Sequence, residues 1–142
     1  MERGTCQICG GTYGTKKGAI AHHGYRRPHV GHQTRSCEGA LHVPYEVSCE
    51  RLRRHIDDVA RLNEVLYASI EYLSWGVSPV MAHDYRRDIK GRLVPPVYRS
   101  PADRDFYIVL RTRLGSMGSD YRTTRGYIAS QRKRAAAWPV VA

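Results

Sequence analysis

All four cysteines of the chain, Cys6, Cys9, Cys37 and Cys49, fall within its first 49 residues, and six of its seven histidines fall within the first 55. A segment of that size cannot bury enough apolar surface to fold unaided, so the cluster points to a cross-link of some kind. The opening Met1–Cys6 lacks the apolar stretch of a signal peptide, which predicts a reducing, cytoplasmic setting and favours metal over disulfides. Cys6-x2-Cys9 lets two thiolates converge on one tetrahedral ion, and Gly10-Gly11 lets the chain turn tightly beneath it. Cys37 is the best third ligand because zinc prefers thiolate, and His23 is the best fourth, with His22 as its rival. Cys49 competes for a place in the set because it begins an expected helix. Four protein ligands would leave no position for water, so the expected zinc is structural.

The rest of the chain limits function further. It has 142 residues, 42% of them hydrophobic, and carries 23 Lys+Arg against 13 Asp+Glu, a net charge of +10. That length excludes a large enzyme with its own cofactor domain, and no apolar run is long enough to span a membrane. The charge predicts an anionic partner, most often nucleic acid. It concentrates in the second half, among apolar residues, so it does not form a disordered basic tail.

Cys6-Gln7-Ile8-Cys9, Ile20-Ala21-His22-His23-Gly24-Tyr25, Arg27-Pro28, Gly31-His32-Gln33-Thr34-Arg35-Ser36-Cys37-Glu38-Gly39-Ala40 and Pro44-Tyr45-Glu46 carry a resemblance. Residues 6–46 resemble a group of short phage-encoded zinc-finger-like proteins of unknown function that share a Cys-x2-Cys pair, a His-Gly-Tyr step and a Gln-Thr-x-x-Cys-x-Gly-Ala step. The resemblance implies a phage origin, a long helical region behind the module, and ligand roles for Cys6, Cys9, His23 and Cys37. His29 stands where the group has glycine, so no role is carried onto it.

Behind residue 47 the pattern becomes helical. Ser48 is a cap, and Leu52, Ile56, Val59, Asn63, Leu66, Ile70 and Leu73 recur at alternating steps of four and three. Ser100-Pro101-Ala102-Asp103 marks a second start, followed by Tyr107, Leu110, Leu114, Met117, Tyr121, Thr124, Ile128, Gln131, Ala135 and Trp138 at the same spacing. The expected architecture is mainly α: a zinc-finger-like module over 1–47, then a coiled-coil-like antiparallel helical hairpin over 48–142 with a long loop at 74–99. In one register Leu73 faces Tyr107 and Val59 faces Tyr121, and a shift by one heptad fits as well. Gly115–Ser119 are poor helix formers, so a break there into three helices is the variant form. Asn63 on the seam reads as a register or oligomer device, and the seam could also pair two copies as a homodimer.

Arg104, Arg111, Arg125 and Arg132 recur at multiples of seven beside the second seam, a row suited to phosphate contact. Arg26, Arg27 and Arg35 of the module, together with Arg86, Arg87, Lys90 and Arg92 of a small hairpin expected to turn at Lys90-Gly91, make a second candidate phosphate surface for nucleic acid. The enzymatic alternative is a metal nuclease using His22, His23, His29 or His32, with His83, Asp84 and Asp88 as a second cluster. No acid stands beside the first set, and no phosphate-cradling glycine loop is present. The sequence therefore predicts a small zinc-stabilised, non-catalytic viral accessory protein that binds nucleic acid. A host or virion protein is the alternative partner, and no membrane is involved.

Overall fold

A computed structural model of the chain describes residues 2–24 and 35–138. Seven short strands and two long helices follow one another: β1 (Arg3–Thr5), β2 (Thr12–Lys16), β3 (Ala19–Ile20), α1 (Glu50–Ser74), β4 (Val80–His83), β5 (Arg86–Arg87), β6 (Leu93–Val94), β7 (Val97–Arg99) and α2 (Phe106–Ala136). They form two compact units, Met1–Val59 with Ile128–Ala142, and Ala60–Tyr127. Each helix contributes one part to each unit. Among the described residues no helix is long and apolar enough to cross a membrane.

The first unit is built on an antiparallel sheet with β2 between β1 and β3. The β2–β3 turn is Lys17-Gly18, and both residues have positive φ, the geometry whose twist suits a two-residue hairpin. Between β1 and β2 the chain makes a tight knuckle, closed by Cys6 N–H to Gly11 O and Gly10 N–H to Cys6 O. Ile20, Leu52, Ile56, Ile128 and Ala135 are buried in this unit, together with Cys6 and Cys49. The start of α1 has its free donors satisfied by side chains: Ser48 Oγ accepts from Glu50 N–H and Gln7 Oε1 accepts from Leu52 N–H.

The second unit has its core at Val80, Phe106 and Leu110, packed by Leu73, Val109 and Leu114. Its strands make a two-step hairpin, β4 with β7 and β5 with β6. The ladder shifts between Met81 and His83 and is interrupted opposite Pro95-Pro96, which have no N–H to donate. At the tip, Asp88 Oδ1 accepts from the N–H groups of Lys90 and Arg92 while Oδ2 accepts from Arg92 Nε.

This architecture corrects the mainly α expectation of a long helical hairpin with a possible three-helix form. Two helices stand with several small antiparallel sheets, and the stretch taken as the inter-helix loop holds four strands. No break occurs at Gly115–Ser119, because α2 runs through it. Each glycine there costs about 1 kcal/mol of helix propensity, but Leu114 just before the segment and Met117 within it are turned inward and hold it. Tyr121 meets the ring of Tyr67 at 5.4 Å rather than Val59, so the pairing lies about one heptad from the first register. Tyr107 is 71% exposed, and the fully buried Phe106 takes its place.

Candidate metal centre

The knuckle between β1 and β2 brings Cys6 and Cys9, the segment after β3 brings His23, and the segment before α1 brings Cys37 to a single point. Atoms of Cys6, Cys9, His23 and Cys37 all lie within 4.8 Å of one another. A tetrahedral ion with metal–sulfur bonds of about 2.3 Å and a metal–nitrogen bond of about 2.0 Å would set its thiolates about 3.8 Å apart and sulfur about 3.5 Å from nitrogen. Cys6 Sγ and Cys37 Sγ are 3.9 Å apart, and Cys9 Sγ is 3.4 Å from His23 Nε2. The four residues can therefore hold a metal ion. His23 is buried and His22 is exposed, which decides between them. Cys49 is buried at the start of α1 and lies outside the group.

The surroundings prepare His23 as a ligand. Its Nδ1 lies 2.8 Å from Ala21 O, which can only accept, so Nδ1 carries the proton and Nε2 keeps a free lone pair toward Cys9. Tyr13 stacks on the imidazole at 3.7 Å, and its hydroxyl lies 3.7 Å from Cys9 Sγ. Ser36 fastens the return of the chain: its Oγ accepts from His23 N–H and donates to His23 O, while Cys37 N–H also donates to His23 O. Gln7 sits between the two knuckle cysteines, 1% exposed, with Nε2 donating to Val43 O as its Oε1 receives Leu52 N–H.

The thiols differ in their readiness to ionise. Burial pushes Cys6 up to about 11. Burial also works against ionisation of Cys9, but hydrogen bonds from Gly11 N–H, Tyr13 and Cys6 overcome it and bring Cys9 down to about 7. A bound cation would favour the thiolate at both.

Gln7, Tyr13, Ser36 and Gly39 are the site residues that sequence reasoning missed. Only Gly39 left a mark, in the Cys37-x-Gly39 step of the resemblance, because the others work through partners distant in sequence or through ring geometry. The remaining candidates are placed as follows. Arg111, Arg125 and Arg132 are exposed on α2, and Arg104 is exposed in the turn that precedes the helix rather than on it. Arg26 and Arg27, like His29 and His32, lie outside the described residues. Asp88 spends both carboxylate oxygens within its own turn, and Asp84 Oδ1 accepts from Tyr85 N–H. Comparison with protein-family models, curated proteins and solved structures gave no match.

Proposed function

We propose that this is a zinc-stabilised small basic protein that binds nucleic acid without catalysing a reaction on it. Three thiolates and an imidazole at tetrahedral spacing are the donor set that zinc favours, and four protein ligands give it a structural role. The resemblance of residues 6–46 to phage-encoded zinc-finger-like proteins is in keeping with that reading.

The observation that carries the nucleic-acid part is how the charges are spent. Acids pair with other arginines: Glu38 with Arg51, Glu50 with Arg54, Asp88 with Arg92, and Asp105 with Arg99. Arg104, Arg111 and Arg125 of the second unit, and Arg132 of the first, are exposed and have no carboxylate partner among the described residues. Exposed guanidinium groups without carboxylates are free to take phosphate oxygens in pairs. The test is anisotropy of labelled duplex and single-stranded DNA and RNA titrated at several salt concentrations. Arg111→Ala with Arg125→Ala should weaken binding on any sequence and reduce the salt slope by about 2.

Docking on a host or virion protein has an observation of its own. A cleft on the second unit is lined by Tyr107, Ile108, Leu110, Arg111 and Leu114, with Tyr107 and Ile108 both 71% exposed. Absence of nucleic-acid binding at low salt would shift the reading to that surface.

A further inference from the structure

We propose that Arg134 is the outer counter-ion of the metal centre and makes the docking of the C-terminal end of α2 depend on the metal. The inference rests on the metal reading of Cys6, Cys9, His23 and Cys37, and it concerns the first unit alone. Arg134 is 128 residues from Cys6 in sequence, yet its Nη2 donates to Cys6 O at 2.8 Å and its Nη1 to Ile8 O at 3.2 Å. Both carbonyls belong to the knuckle that carries the first two ligands. The guanidinium also lies close under the turn itself, with Cζ 3.7 Å from where a Cβ on Gly10 would be.

The surroundings of this guanidinium call for a negative charge. Arg134 is half-buried, and its one side-chain polar partner among the described residues is Gln131 Oε1 at 3.4 Å, which is neutral. Its guanidinium carbon stands 4.8 Å over the Tyr45 ring. A half-buried cation without a carboxylate is costly unless other negative charge is near. Three thiolates, a neutral imidazole and a divalent ion carry one net negative charge, and the knuckle holding two of those thiolates is what Arg134 touches.

The same residue anchors the helix end. Tyr45 Oη donates to Arg134 O, and Trp138 Nε1 donates to Tyr45 O, so the last turn of α2 is fastened through Tyr45 and through the knuckle together. A knuckle curled around a metal presents Cys6 O and Ile8 O side by side. Without the metal that presentation is lost, and Arg134 loses both acceptors and the charge it neutralises.

The experiment uses the full chain loaded with zinc, with affinity read by competition against a chromophoric chelator and docking read from the Trp138 indole N–H resonance. Arg134→Gln should still bind one metal per chain but at least about tenfold more weakly, the scale of outer-shell losses. Arg134→Lys keeps the charge without the two-pronged geometry and should recover part of that loss. Chelation of the wild-type chain should move the Trp138 resonance toward its unfolded position, and Arg134→Gln should show part of that movement with metal bound. Wild-type affinity in both variants, or a Trp138 resonance indifferent to chelation, would overturn the proposal. A wild-type chain that takes up no metal would instead overturn the underlying metal reading. Should Arg134→Gln fail to fold, the Lys variant and the wild-type chelation series still decide the matter.

Discussion

Gly39 marks how closely the chain is drawn around the ligand set. A Cβ at this buried position would lie 2.2 Å from Cys6 Sγ and 3.1 Å from a side-chain carbon of Ile8. No rotamer change relieves a clash with a sulfur fixed by its own knuckle, so Gly39→Ala must displace either Cys6 or the Cys37 segment. Its zinc affinity, measured by chelator competition, is expected to fall at least about tenfold, in the range of losses when supporting groups are disturbed. Cys49→Ser supplies the contrast, because Cys49 is buried but stands outside the group. That variant should keep one metal per chain, while Cys37→Ser should lose it. The grouping of Cys6, Cys9, His23 and Cys37 was legible because Cys-x2-Cys is a spacing with a mechanical reason, and because thiolate preference ranks Cys37 ahead of the histidines. Gln7 was not legible: its partners are 36 and 45 residues away, and nothing local distinguishes it from a solvated glutamine.

Among the elements, the helices were the legible part and the strands were not. The alternating four-and-three step identifies the inward residues of α1, from Leu52 to Leu73, and nearly all of those of α2. The exception is instructive. Ser100-Pro101-Ala102-Asp103 reads as a helix start, but Asp103 Oδ2 closes a turn onto Ser100 N–H, and Arg99 Nε pairs with Asp105 Oδ2 before α2 begins at Phe106. The inward position therefore falls on Phe106 instead of Tyr107. Phe106→Ala should cost about 3–5 kcal/mol in denaturant unfolding, whereas Tyr107→Ala should be nearly neutral. Equal losses would return Tyr107 to the core. The strands, of two to five residues, are too short for alternation to show, and only the Lys90-Gly91 turn announced itself. That turn depends on Asp88, whose carboxyl is held below its ordinary 3.8 by Arg92, first through the backbone N–H and then through the side chain. Because the folded value is the lower one, its contribution is complete above the ordinary value and is lost as pH falls through the folded one. A carboxyl-carbon NMR titration should place Asp88 below the usual aspartate range. Asp88→Asn should remove the acid-dependent loss of amide protection at Gly91 and Arg92.

At the level of the whole molecule, the two units are held by different means. The second has an apolar centre at Val80, Phe106 and Leu110 that owes nothing to a metal. The first buries Ile20, Leu52, Ile56 and Ile128, but its knuckle, the segment after β3 and the segment before α1 meet at Cys6, Cys9, His23 and Cys37, which can hold a metal ion. Gln7 ties the knuckle to the start of α1, and Ser36 ties the Cys37 segment to His23. Removing the metal should therefore act on one unit and spare the other. Under chelation, hydrogen exchange should accelerate across β1, β2 and β3, the first turns of α1 and the turns of α2 from Ile128 to Ala136. Protection should persist at Leu66–Ser74 and at Phe106–Tyr121. Since both helices pass through both units, the change should fall inside each helix, near Val59–Ala60 in α1 and Tyr127–Ile128 in α2. Helices normally exchange as cooperative stretches, so a boundary at those points would identify the metal as the stabilising element of the first unit alone. Uniform loss along both helices would mean that the chain unfolds as one cooperative body and that its apolar centre cannot stand without the metal.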